Sequence, residues 1–228
     1  MSENKTGKYL KYAIGEIVLV VIGILMALQI NNWNEARKEA RTIANVLIEI
    51  KEDLIEDKAE LNLRLKQRTA HFKAQKRIYD ALEKRAVFNE EIRLDLGNVL
   101  LAETMFSSSK GYELLKELNL GALTDKSLRI LLTQYYERDI PHVHQENIDD
   151  KFEFENFWLP YVRKHFKDWT FGEYGDPVDY AQILNDQSLL TAIKINSQNL
   201  EATLQAYSIA LKTATKLIKE IDLKINIE

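Results

Sequence analysis

Between Ile17 and Leu28 the chain carries no polar side chain, and between Ala13 and Ile30 only Glu16 and Gln29 break the apolar run. Tyr9 and Tyr12 flank one end and Trp33 flanks the other. Tyr12 to Trp33 spans about 32 Å at ~1.5 Å per helical residue, which matches a hydrocarbon core of ~30 Å with aromatic anchors at both interfaces. The pattern predicts a transmembrane helix over 12–33, preceded by a tail at 1–11, of which Met1–Lys8 is polar and disordered, and followed by an all-helical soluble domain at 34–228. Two other readings compete. A cleaved signal peptide fits the basic start and the apolar run, but Leu25-Met26-Ala27 puts Leu where a small residue is needed, and no Cys exists for lipid attachment. A buried helix of a soluble fold fits the short fully apolar core. The uncleaved anchor is preferred.

The rest of the chain reads as helix. From Ala36 to Arg85 there is no Pro or Gly, and Ile43, Leu47, Ile50, Leu54, Leu61, Leu65, Phe72, Tyr79 and Leu82 recur at helical spacing. Asn31–Glu35 either caps this helix or joins it to the span. Asn89 is placed to cap a helix with Glu90 and Glu91 in its first turn and Ile92, Leu96, Val99 and Leu100 inward. Ser107–Gly111 reads as a loop, and a short helix over Tyr112–Leu118 ends near Gly121. Thr124 or Asp125 caps the next helix, which runs to about Ile140 with Leu128, Leu131, Leu132 and Tyr135 inward. Pro141 starts another, and Pro160 kinks or ends it. Gly172, Gly175 and Pro177 mark a loop-rich zone. Asp179 or Asp186 caps a last long helix to about Lys224, whose stripe runs through Leu190, Ile193, Leu200, Leu204, Tyr207, Leu211, Ile218, Ile221 and Ile225. The expected fold is all-α: one N-terminal membrane helix, then an elongated antiparallel bundle in which 36–85 and 186–224 are the two long helices.

The opening is more specific than hydrophobicity demands. The run from Tyr12 to Leu25, YAIGEIVLVVIGIL, followed by Ala27-Leu28-Gln29-Ile30-Asn31-Asn32-Trp33-Asn34-Glu35, resembles the opening of a family of small membrane proteins of Bacteroidota whose function is unknown. Weaker similarity continues at Gly121, Leu128-Arg129, Tyr135-Tyr136, Pro160-Tyr161 and along the last helix. The resemblance implies a single-span, all-helical protein and brings no activity and no catalytic residues.

Composition narrows the partners. The net charge is −4, with residues 1–12 at +2 from Lys5, Lys8 and Lys11 against Glu3. Nucleic acid is not expected, because no clustered basic face is present. The chain has no Cys, so it has neither a disulfide framework nor a thiolate metal site. Arg37, Lys38 and Arg41 follow the span and tie the simple count of flanking cations. The amino terminus and the closeness of Lys8 and Lys11 tip the orientation toward a cytoplasmic N-terminus and a periplasmic domain on the inner membrane. Only about eleven residues then precede the span, so any signal across it must pass through a partner.

Candidate chemistry is sparse. Gly23 and Ala27 have small-xxx-small spacing, Gly15 lies two such steps before Gly23 and is expected on roughly the same face, and Glu16 and Gln29 are polar groups inside the span. Together these five suggest lateral association, with a second copy or with another membrane protein. Ten aromatic residues fall between 152 and 180. Among them Phe157, Trp158, Tyr161, Trp169 and Tyr174 are either a partner surface or the cap of a bundle core. Ser107-x-x-Lys110 matches the spacing of acyl-enzyme serines, but the companion Ser-Asp-Asn and Lys-Thr-Gly motifs are missing. His142-x-His144-x-Glu146 would chelate a metal only if extended, because helical residues two apart diverge. No cofactor, metal or catalytic set is expected. The reading is a membrane-anchored helical scaffold or accessory protein that binds other envelope proteins. The alternative is a membrane-tethered sensory or ligand-binding bundle.

Overall fold

The computed structural model describes residues 5–99, 102–118 and 120–225, with the backbone alone given for 5–12 and 122. Helix α1 covers Lys5–Glu83, so Lys5–Lys8 are helical rather than part of a disordered tail, and Asn31–Glu35 continue the helix instead of capping a new one. Residues 1–4, the side chains of Tyr9 and Tyr12 and the position of Leu100 lie outside the described residues. Contacts divide the chain into two units, one ending at Val46 and the other beginning at Leu47. Val46 and Leu47 are also where burial begins on α1, at 3% and 1% exposed.

The second unit is built on a 4–3 alternation of buried positions. On α1 the buried residues include Leu47, Ile50, Leu54, Asp57, Leu61, Arg68, His71, Gln75, Ile78 and Leu82. Leu65, Phe72 and Tyr79, expected in the stripe, are only half-buried, because polar Arg68, His71 and Gln75 hold the seam instead. Helix α8, Gln187–Ile225, shows the same period, with Leu189, Ile193, Asn196, Leu200, Thr203, Tyr207, Ala210, Ala214, Leu217 and Ile221 buried. The two helices run antiparallel. Lys51 Nζ lies 2.5 Å from Asp222 Oδ1 near one end, and Gln75 Nε2 donates to Asn196 Oδ1 at 2.7 Å near the other.

Between them the chain forms α2 (Glu90–Leu96), α3 (Lys110–Glu117), a 3-10 turn at Leu120–Ala122 and a helical run over 126–165. Asn89 and Asp125 cap α2 and that run as expected, accepting from the amides of Ile92 and of Ser127 and Leu128. The run is α4 (Lys126–Gln134), a π turn at Tyr135–Asp139, α5 (Ile140–Glu153), a second π turn at Phe154–Trp158, and α6 (Leu159–His165). Neither Pro141 nor Pro160 ends a helix. Each follows a residue whose amide bonds five positions back, Ile140 to Tyr135 and Leu159 to Phe154. A proline ring clashes with the carbonyl four residues before it, and widening the preceding turn relieves that clash without breaking the rod.

The Gly- and Pro-containing zone is not a plain loop. It is an antiparallel hairpin of β1 (Phe166–Thr170) and β2 (Tyr174–Pro177), turned at Gly172 with φ 75°. The hairpin adds a small sheet to an otherwise all-α protein. It is tied to the end of α2: Gly172 N–H donates to Gly97 O at 2.9 Å, and Trp169 Nε1 donates to Leu96 O at 3.2 Å. Asp179 caps α7 (Tyr180–Leu184). Asp186 caps α8, accepting from the amides of Ser188 and Leu189.

Helix α1 ends without glycine. Ala86 N–H bonds Ala81 O at 2.8 Å, Arg85 N–H bonds Leu82 O at 3.1 Å, and Arg85 sits at φ 52°. This paired pattern is the Schellman closure, with Arg at the left-handed position that glycine usually fills.

Candidate functional site

Two regions carry candidate function, and each belongs to one unit. In the first, the whole apolar window on α1 is unburied, and the helix is long and apolar enough to cross a membrane. Leu19 is 71% exposed and Ile30 65%. Hydrophobic side chains in a solvent-facing helix are unfavourable by roughly 1.5–3 kcal/mol each relative to burial, so a stretch this long requires an apolar surrounding. No residue of this window is buried within the chain itself, unlike a helix in the core of a soluble fold.

All five association candidates lie on this exposed helix. With ~100° per residue, Glu16, Gly23 and Ala27 fall within about 40° of one another, forming a stripe about 16 Å long. Gly15 lies about 80° from Gly23, and Gln29 lies about 140° from Glu16, so both fall off the stripe rather than extend it. A Cβ placed on Gly15 or Gly23 would meet nothing within 4 Å. Trp33 is exposed, and the Arg37 guanidinium sits 5.2 Å from its ring centre.

In the second unit, polar groups are gathered inside the bundle. Arg68 Nη1 lies 2.9 Å from Asp150 Oδ2, and Arg68 Nη2 donates to Glu103 O at 3.0 Å. Tyr207 OH donates to Asn147 Oδ1 at 2.8 Å. One layer away, Asp57 Oδ2 accepts from Tyr135 OH at 2.8 Å, and its Oδ1 accepts from Ser108 N–H at 3.2 Å. Burial pushes the Asp57 carboxyl up to about 6, with Asp53 and Glu56 adding to the effect against the opposing hydrogen bonds. Burial likewise lifts Asp150 to about 6 despite the Arg68 charge, and burial beside Arg68 drops His71 to about 4. The sequence reading missed this layer. Its signal is a strict seven-residue repeat, Leu47, Leu54, Leu61, Arg68, Gln75 and Leu82, in which two polar residues take the place of leucine.

Beside Asp57 the segment 106–110 borders a cavity of about 860 Å³, lined by residues including Asp53, Glu56, Glu60, Arg64, Phe106 and Lys110. Ser107 also lines it, and its Oγ lies 3.0 Å from His144 Nε2. Burial lowers the His144 pKa, so its imidazole is neutral at pH 7. The two histidines of the 142–146 run diverge, because His142 Nε2 instead meets Glu146 Oε1 at 3.3 Å.

The aromatic zone turns largely inward. Trp158 is fully buried and Tyr161 is 8% exposed, so neither presents a ring to a partner. Both join the cluster formed with Ile78, Leu82, Leu96 and Phe166. Phe157 and Trp169 are half-buried against that cluster. Tyr174 is half-buried too, with the Arg93 guanidinium 4.1 Å from its ring centre.

Comparison with curated proteins and with solved structures returned no match. One family profile matches residues 16–153, more than half of the chain, from Glu16 in the apolar segment to the end of α5. The matched stretch includes Arg68, Ser107, His144 and Asp150. The chain belongs to this family, described as a family of unknown function (DUF6090).

Proposed function

We propose that the protein is a membrane-anchored helical scaffold or accessory protein, which binds other envelope proteins through its membrane helix and its bundle and turns over no substrate. The observation that carries this reading is the fully exposed apolar segment of α1. Within it the Glu16–Gly23–Ala27 stripe offers close helix approach and a carboxylate with few stable alternatives to a polar partner or the interface. The anchor lies in the inner membrane with the N-terminus cytoplasmic and the bundle periplasmic, on the strength of the amino terminus and the closeness of Lys8 and Lys11 to the span, since the flanking cation counts tie. A native-membrane purification under mild detergent tests the binding role. A stoichiometric membrane or envelope partner, or a second copy, supports it, and an isolated monomer counts against it.

A second reading, a tethered sensory or ligand-binding bundle, is favoured by the cavity beside Asp57. A small molecule that raises the melting temperature of the full chain would support it, by binding the folded state alone.

A further inference from the structure

We propose that Ser107 is a nucleophilic serine with His144 as its base, and that the cavity admits a neutral or cationic ester whose acyl group is transferred to Ser107 in a single covalent event. This goes beyond the scaffold reading, since it assigns a modification site and not a turnover activity.

Three observations carry it. First, Ser107 Oγ and His144 Nε2 are 3.0 Å apart, within the reach that defines an activated nucleophile. Burial keeps His144 unprotonated near neutrality, which a base must be. Second, the backbone on either side of Ser107 is fixed. Ser108 N–H donates to Asp57 Oδ1 at 3.2 Å, Gly111 N–H donates to Asp53 Oδ2 at 3.3 Å, and Met105 is 1% exposed. The hydroxyl is therefore held in place rather than carried on a free loop. Third, Ser107 lines a cavity of about 860 Å³, which is large enough for a small ester. Its carboxylates, Asp53, Glu56, Asp57 and Glu60, outnumber Arg64 and Lys110, so anionic donors are disfavoured.

In the step, Ser107 Oγ bonds to the carbonyl carbon while its proton passes to His144 Nε2. The carbon–oxygen bond to the leaving alkoxide then breaks, and His144 returns the proton to that alkoxide. The same Ser108 and Gly111 amides that brace the segment are given to carboxylates, so they do not serve a developing oxyanion. Attack by Ser107 and later attack by water both pass through a tetrahedral oxyanion, so both steps are slow, and the acyl-serine persists once it has formed.

A neutral alkyl fluorophosphonate tests this on the full chain in detergent: the Oγ–P bond forms, the P–F bond breaks, and the proton again goes to His144. The expected result is one adduct per chain, mapped to Ser107, absent in Ser107→Ala and unchanged in Ser109→Ala. In His144→Gln the labelling rate drops by roughly 100-fold or more, the usual contribution of a general base. In the wild-type protein the rate climbs with pH through the His144 ionisation and is flat between pH 7 and 8. No adduct above the Ser107→Ala background overturns the proposal. So does undiminished labelling of a His144→Gln protein that melts like wild type. Should that variant fail to fold, a wild-type labelling rate that is the same in H2O and D2O at neutral pH, where proton transfer to His144 predicts slowing in D2O, overturns it as well.

Discussion

Arg68 of α1 and Asp150 of α5 form an ion pair of 2.9 Å whose side chains are 1% and 6% exposed. A pair this deep is not a surface contact. Its charges have lost their water, and each depends on the other and on the Glu103 carbonyl and Asn147 side chain around it. Removing one partner strands the other, which costs about 3–5 kcal/mol, whereas replacing both with apolar residues is often neutral. Asp150→Ala therefore lowers the unfolding free energy by about that amount. The double variant Arg68→Met/Asp150→Leu recovers most of it, less about 1–3 kcal/mol for the Glu103 carbonyl left unbonded. Urea unfolding followed by circular dichroism checks both numbers. A loss under about 1 kcal/mol for Asp150→Ala would mean the pair is solvated.

The same layer sets a pH dependence with opposing parts. Asp57 and Asp150 rise from 3.8 to about 6 on folding, mainly through burial. Each therefore contributes stability that is fully present below pH 3.8 and is lost as pH rises through 6. His71 falls from 6.5 to about 4, again mainly through burial. Its contribution is fully present above pH 6.5 and is lost as pH falls through 4. In the wild type these trends partly cancel between pH 4 and 6.5. Replacing His71→Gln removes one side, so the variant gains more stability than wild type on going from pH 7 to pH 5. Replacing Asp57→Asn removes part of the other, so that variant gains less. Urea midpoints at four pH values decide; identical slopes for all three proteins would contradict the buried assignments.

Arg85 occupies a left-handed position at the end of α1, at φ 52°. Its side chain makes one exposed hydrogen bond, Nη2 to Asn185 Oδ1 at 2.9 Å. Glycine adopts this conformation without the Cβ penalty of roughly 1–2 kcal/mol. Arg85→Gly is expected to raise the melting temperature by about 2–4 °C, after the loss of that exposed bond. Calorimetry measures it, and a lowered melting temperature would show that the Asn185 contact matters more than the backbone.

Gly111 opens the first turn of α3 against α1. A Cβ there would lie 2.8 Å from Ile50 Cγ1 and 2.9 Å from the Ile50 backbone nitrogen. Side-chain rotation relieves the first clash but not the second. Gly111→Ala should cost about 1–3 kcal/mol, the usual penalty for overpacking. The equivalent change at Gly15 or Gly23, where a Cβ meets nothing, should leave the melting of the bundle unchanged.

Much of this was readable from the residue order. The apolar run, the long helix to Glu83, the caps at Asn89, Asp125, Asp179 and Asp186, and the last helix all follow from local chemistry acting over a few residues. What escaped depends on partners distant in sequence. Arg68 and Asp57 look like solvated residues until Asp150 and Tyr135 are brought beside them. Ser107 reads as paired with Lys110, three residues away, because His144 is 37 positions off. The two proline-linked π turns escaped for a different reason. Proline signals a break, but it does not say whether the chain stops or widens by one residue. The hairpin at 166–177 was hidden because its strands are short and stand on Leu96 of α2 and the Gly97 that follows it.

The exposed apolar helix is the centre of this reading, and membrane extraction combined with intact mass tests it most directly. Native membranes are washed with alkaline carbonate, and the chain recovered from pellet and wash is weighed. An uncleaved anchor predicts that the chain stays in the pellet with residues 13–33 still attached. A chain released into the wash, or a mass lacking that segment, would contradict the anchor.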